Sequence, residues 1–199
     1  MSIGDAEIKT QERVIRFFKD PEILGYQYIG NLSDYQNKNI NEDRLRQYLR
    51  LKGYADKLID AAVMQLQQEA GNLSRGVYDA NKTVYSRLKY GIPVSESPEK
   101  PPVTVELIDE ANPLNNDFAV AEEVTVVEQQ EKRPDLVIYL NGIAVAVIEL
   151  KRSSISVSEG IRQNLTNQKD SFIRGFFTTM QFCMAGNESE GLRYGTLLT

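Results

Sequence analysis

Histidine is absent from this 199-residue chain, and cysteine occurs once, at Cys183. Without histidine there can be no serine–histidine or cysteine–histidine catalytic pair and no histidine-held metal, and a single cysteine builds neither a zinc cluster nor an intrachain disulfide. Cys183 sits in the apolar run Met180 to Met184 and reads as a core residue. Nothing approaches the ~18 consecutive apolar residues of a membrane helix, and the start, Met1-Ser2-Ile3-Gly4-Asp5, has no basic-then-apolar leader pattern. These absences point to a cytoplasmic protein with no membrane partner. A Gly-x-x-x-x-Gly-Lys-Ser/Thr phosphate loop is missing too, so this chain is not expected to bind or hydrolyse ATP.

What is present is ordinary for a folded protein: 41% hydrophobic and 26% charged residues, in a chain long enough to bury a sizeable core. The net charge of −5 is unevenly placed. Residues 101–131 carry eight carboxylates and no Lys or Arg, whereas residues 44–90 carry nine basic residues against four acidic ones. Any attraction for nucleic acid must therefore be local. Within the basic block Arg44, Arg46, Arg50, Lys52, Arg75, Lys82, Arg87 and Lys89 are interleaved with Tyr48, Tyr78, Tyr85 and Tyr90. The pattern could serve contacts to DNA phosphates or a docking face, but the plainer and preferred reading is solvated basic helix faces with tyrosines along the seam.

The informative stretch is Pro134 to Lys151. Two runs rich in Val, Ile, Leu and Tyr flank Asn141-Gly142, a hairpin signal, and Ile143 to Ile148 is apolar on both alternating faces, as in a central strand covered on both sides. Burying Glu149 at the end of such a strand costs several kcal/mol unless it is paired or binds a metal. Asp135 and Glu149 offer the hard oxygen ligands Mg²⁺ prefers, and the Leu150 backbone carbonyl could add another. At about 5 Å apart the two carboxylates would repel by roughly 3 kcal/mol at an effective dielectric of ~20, which a divalent cation relieves. Lys151, on the Glu149 side of the strand, could orient or deprotonate an attacking water.

A common face for Asp135, Glu149 and Lys151 depends on register. A strict two-residue turn pairs Leu140 with Ile143 and sends Asp135 and Glu149 to opposite faces. The expectation is therefore a three-residue loop pairing Tyr139 with Ile143, or another bulge before Glu149.

Pro134-Asp135 with Glu149-Leu150-Lys151 matches the PD-(D/E)xK nuclease signature. Arg133-Pro134-Asp135-Leu136-Val137, Asn141-Gly142 and Val147-Ile148-Glu149-Leu150-Lys151 together resemble the N-terminal nuclease domain of the restriction (R) subunit of type I restriction-modification enzymes, over about residues 131–198. The resemblance implies an α/β, restriction-endonuclease-like fold, a mixed central sheet flanked by helices, that cuts double-stranded DNA with Mg²⁺. It also implies motor domains later in the same polypeptide, where ATP is used, methylation and specificity subunits as partners, and a bacterial cytoplasmic setting. On this reading the chain is a fragment of a longer subunit. Two supporting residues follow from the resemblance: Gln163, on the helix after the lysine, for the nucleophilic water or a phosphate, and Glu12, an acidic first-helix residue beside the metal. The tyrosine often found four residues after that glutamine is Asn167 here. A stand-alone PD-(D/E)xK nuclease and a non-catalytic docking module for a DNA motor are the rival readings.

Along the chain, residues 5–19 read as a helix with Asp5 as cap and Ile8, Glu12, Ile15 and Phe18 on its inward face. Residues 21–40 read mostly as loop. Helices follow at 42–52, 55–70 and 76–90, a helical insertion over about 41–91 between first helix and sheet, with Asn41 as cap and Gly53, Gly71 and Gly91 as stops. Residues 91–103, with four prolines, read as a linker, and 103–108 and 118–128 as strands. After the hairpin, Ser156-Val157-Ser158-Glu159 is a capping box opening a helix over 157–174, with strands expected at 176–184 and 192–198. The whole is read as one nuclease domain, its core about 5–19 and 103–198.

Overall fold

The segment Ile143 to Ile148 contains no polar side chain, so neither side of it tolerates water, and the chain folds to cover both. In the computed structural model, which describes residues 3–197 and side chains from residue 8 onward, the elements run in this order. They are α1 (Ile3–Lys19), β1 (Gln27–Asn31), α2 (Glu42–Leu51), α3 (Asp56–Gly71), α4 (Val77–Tyr90), β2 (Ile92–Val94), β3 (Val103–Val105), β4 (Phe118–Glu122), β5 (Val126–Val127), β6 (Glu131–Lys132), β7 (Leu136–Leu140), β8 (Ile143–Leu150), α5 (Val157–Asn167), β9 (Phe182–Asn187) and β10 (Gly191–Gly195). Six strands form one mixed sheet in the order β1-β4-β7-β8-β9-β10, parallel at β1–β4 and β8–β9 and antiparallel elsewhere. On one face α1 covers Leu136, Ile138, Ala146 and Ile148 with Ile15. On the other, Phe176, Phe177 and Ile173 cover Val137, Tyr139 and Val147. α5 packs on β8 and β9 on that second face, with Gly160 against Glu149 and Ala185.

The hairpin turn has two residues: Leu140 pairs with Ile143, with Asn141 and Gly142 both at positive φ (52° and 82°). The three-residue loop does not form. The expected alternative does: Tyr139 pairs with Ala144 but Ile138 with Ala146, leaving Val145 as a bulge. The Val145 carbonyl accepts a hydrogen bond from the Gln181 amide at 2.7 Å. The extra residue brings Leu136 opposite Ile148, the register in which Asp135 and Glu149, one residue further along their chains, fall on a common face.

This turn is buried, unlike most hairpin tips. Asn141 is fully enclosed, accepts from the Asp117 amide (2.7 Å) and donates to the Leu107 carbonyl and Asn116 Oδ1 (2.8 Å each). The Gly142 carbonyl accepts from the Asn41 amide, and a Cβ on Gly142 would lie 2.6 Å from the Asn41 carbonyl oxygen. What encloses it is the helical block α2–α4, whose core of Leu45, Leu49, Ile59, Val63, Leu66 and Val84 includes Ile143. Asn41 caps α2 by accepting from the Arg44 amide, and Gly53 and Gly91 turn the chain out of α2 and α4 at positive φ.

Several expectations change. β1 lies within the stretch expected to be loop; its sequence Gln-Tyr-Ile-Gly-Asn is an edge strand without an apolar alternation to reveal it. The expected linker contains β2, whose Pro93 is tolerated in a two-stranded ribbon with β3. The strand expected over 118–128 breaks at Glu123 (φ 51°) into β4 and β5. α1 begins at Ile3, so Asp5 lies within it, and the Asp5 side chain is outside the described ones. α5 ends at Asn167, and Arg174–Thr179 is a 3-10 segment rather than a strand. The reason is the adjacent Phe176 and Phe177: both pack into the one cluster on a single sheet face, whereas a strand of period two sends neighbours to opposite faces. β10 ends at Gly195, and Leu198 is outside the described residues.

Candidate active site

Pro134 and Asp135 are pinned just before β7 by the end of β4. The Val124 amide donates to the Pro134 carbonyl (3.1 Å) and the Glu123 amide to the Asp135 carbonyl (2.9 Å). With its backbone held, the half-buried Asp135 turns its side chain to β8, where Oδ2 accepts from the Leu150 amide at 2.6 Å. Asp135 is thereby tied to the peptide that joins Glu149 to Leu150.

Glu149 is wholly buried, and its β9 neighbour in register is Ala185. Lys151 leaves the sheet directly after β8. Its amide donates to the Gly186 carbonyl (2.9 Å), and its Nζ donates to the Leu150 carbonyl (2.9 Å) and stands 4.0 Å from Glu149 Oε2. At that separation the Coulomb attraction is about 4 kcal/mol for an effective dielectric of 20, a gain that the desolvation of both ions largely offsets. The pair is therefore poor as a stabiliser.

α5 fixes the far wall. Ser156 caps it by accepting from the Ser158 amide at 3.3 Å, while Glu159 turns to Arg162 instead of closing the capping box. A Cβ on Gly160 would lie 2.9 Å from Ala185 Cβ and 3.4 Å from Glu149 Cβ, so only glycine lets the helix cross so close to the acidic strand. Gln163, one turn on, is half-buried. Asn164 and Asn167 are buried; Asn164 donates to the Met184 carbonyl (2.9 Å), and no acceptor bond reaches its Oδ1 among the described residues.

Glu12 does not join this group. It is exposed, and the inward face of α1 is instead Gln11, Val14, Ile15 and Phe18, with Ile8 56% exposed. The stripe is turned by about one position because Gln11 has partners at and just beyond the end of β4: its Nε2 donates to Glu122 (3.1 Å) and Glu123 (3.2 Å). Moreover, α1 covers the face opposite the one on which Glu149 meets α5.

Gln11, Tyr28, Glu122 and Glu123 were not foreseen as a group. Tyr28 donates to Glu122 at 2.6 Å; burial, then this carboxylate, push its pKa up to about 12. Glu123 also pairs with Arg133 at 2.8 Å. These contacts brace the backbone that carries Pro134 and Asp135. The paired glutamates closing the alternation of β4 were the one hint, and Tyr28 had none because its strand was hidden.

Asp135, Glu149 and the Leu150 carbonyl are hard-oxygen donors of the kind Mg²⁺ takes, the Leu150 carbonyl here accepting from Lys151 Nζ; an ion held by so few protein ligands would keep several waters. Among the described residues no three His, Cys, Asp or Glu side chains gather as a metal cage. No described helix is long and apolar enough to cross a membrane.

A mixed sheet with helices on both faces and acidic groups at adjacent strand ends defines an α/β, restriction-endonuclease-like fold. The chain belongs to a family within that class, the N terminus of type I restriction enzyme R proteins, whose family model matches residues 7–199. A relative from Methanocaldococcus jannaschii, assigned by name as type I restriction enzyme MjaIXP endonuclease subunit, is 34% identical over 97 residues. That alignment covers 45% of this chain and 9% of the relative, so the similarity concerns a small part of a much longer protein.

Proposed function

We propose that this chain is the Mg²⁺-dependent nuclease module of a type I restriction enzyme R subunit and hydrolyses phosphodiester bonds of double-stranded DNA. The observation that supports this reading is the 2.6 Å bond tying Asp135 to the Leu150 amide, next to the 4.0 Å Glu149–Lys151 pair, at adjacent strand ends. Asp135, Glu149 and the Leu150 carbonyl would hold Mg²⁺, which when bound supplies charge neutralisation at the scissile phosphate and a more acidic water. Lys151 is the water-positioning or general-base residue and offsets negative charge on the phosphate. Gln163 gives its amide to the same water or to a phosphate oxygen. ATP-driven motor domains of the longer polypeptide, with methylation and specificity subunits, would bring DNA to this site.

The test is Mg²⁺-dependent cutting of plasmid DNA by the complete complex carrying wild-type or Lys151→Ala R subunit. The substitution is expected to slow cutting by about 10²–10⁴-fold, the usual worth of a positioned proton-transfer group. Unchanged cutting with an intact complex would leave only a docking role for this module.

A further inference from the structure

Of the nine basic residues in the helical block, five are engaged by carboxylates. Arg44 pairs with Asp117, Arg46 with Glu42 and Asp60, Arg50 with Asp56, Lys52 with Asp109, and Arg87 with Glu69. Lys57, Arg75, Lys82 and Lys89 form no ion pair among the described residues; all four are exposed, Lys57 on α3 and the other three on α4 or just before it. Their placement is ordered. Tyr78, Lys82, Tyr85 and Lys89 follow at spacings of four, three and four along one exposed line of α4, opposite the buried Ala80, Val84 and Leu88. At 1.5 Å per residue the line is about 16 Å long and its lysines are about 10 Å apart. The line adjoins a polar groove of about 670 Å³ lined in part by Ser74, Arg75, Lys82 and Ser86. The nearby acidic groups are few: Asp79, one position off the line, Glu69, already held by Arg87, and Glu110, a weak influence on Lys89.

α4 is also on the right side of the molecule. Asn81 donates to the Thr178 and Met180 carbonyls, and Val77 packs into the cluster that covers the sheet face on which Glu149 meets α5. α4 therefore sits toward the Ile143 end of β8, and Glu149 is six residues further along, about 20 Å at 3.3 Å per residue.

We propose that the outward line of α4 is a second, sequence-independent contact for duplex DNA: Arg75, Lys82 and Lys89 meet phosphates and the tyrosine hydroxyls donate to the same backbone. The duplex is the one whose cleavage is proposed above, so the inference rests on that reading for its biological sense, but its test needs no cleavage. Binding of a labelled 30-base-pair duplex to the protein is measured by fluorescence anisotropy in EDTA, from 50 to 200 mM salt. Each phosphate contact contributes about 0.9 to the slope of log affinity against log salt, so Lys82→Ala with Lys89→Ala should flatten the slope by about 1.8. Thermal unfolding should be unaffected, since both side chains lie in solvent. Lys57→Ala, an exposed lysine on α3, should leave the slope as it was. Absence of duplex binding by the wild type, an unchanged slope in the double variant, or an effect on single-stranded oligonucleotide alone would overturn the proposal. Loss of cutting by Lys151→Ala with no slope change at α4 would keep the nuclease and discard this surface, and the reverse pattern would do the opposite.

Discussion

The contact between Gly160 and Ala185 offers a test of how the far wall of the site is set. A methyl group at position 160 would stand 2.9 Å from Ala185 Cβ, about half an ångström inside ordinary contact, with both atoms fixed to backbone. In Gly160→Ala the helix gains about 1 kcal/mol of intrinsic propensity, while overpacking costs about 1–3 kcal/mol, for a net loss of up to about 2 kcal/mol. α5 must also move away from Glu149, taking Gln163 with it. Since an ångström of misplacement can cost about 10²-fold in rate, cleavage should fall by about tenfold for half of that shift. Ala185→Gly reopens the space at about 0.5–1 kcal/mol of strand stability, so the double variant should recover near wild-type urea midpoint and most of the cutting. Urea denaturation of the four proteins and plasmid cutting by the corresponding complexes form a double-mutant cycle. Additive losses, with no rescue by Ala185→Gly, would refute the claim that this close approach positions the helix.

Two further outcomes follow from other contacts. Gly142→Ala should cost about 2–5 kcal/mol, combining left-handed strain of about 1–2 with overpacking of about 1–3, whereas Gly53→Ala, at φ 86° with open space, should lose only the strain; equal urea midpoints would disprove the clash. Asp109 is held at a pKa of about 2, below the ordinary carboxylate, by hydrogen bonds from Lys52, then Asn115 and the Asn112 amide. A depressed folded pKa stabilises above about pH 4 and is lost as pH falls toward 2. Asp109→Asn should thus lower the urea midpoint at pH 7 and shrink the difference between pH 5 and pH 2.5; an unaltered difference would exclude Asp109 as its source.

The parts of the fold that could be read from residues were those with one dominant period. The three helices α2, α3 and α4, with clear stripes and glycine stops, and the apolar strand β8 left no rival arrangement. Register was legible as well, because Asp135 and Glu149 could share a face with a two-residue turn only if one residue was extruded between the turn and Glu149, and Val145 is that residue. The losses have particular causes. β1 is polar and pairs only at the sheet edge, so its partner β4 defines it, and nothing local does. Phe176 and Phe177 looked like strand residues because hydrophobicity alone does not distinguish a 3-10 wedge from a strand. For α1, Ile8 weighed equally with Ile15, but the hydrogen bonds of Gln11 to Glu122 and Glu123 turned the helix and left Glu12 in solvent. Buried polar partners outside a segment are invisible to that segment's own pattern.

The enclosed Asn141-Gly142 turn bears on any attempt to trim or exchange the helical block among relatives. Excising residues 41–91 would leave Ile143 wet and strip the Asn41 amide from the Gly142 carbonyl, at the opposite end of the hairpin from the acidic groups. A transplant that keeps the protein foldable must carry with it both the loop around Leu107 to Asp117 and the tip of the hairpin, as one graft.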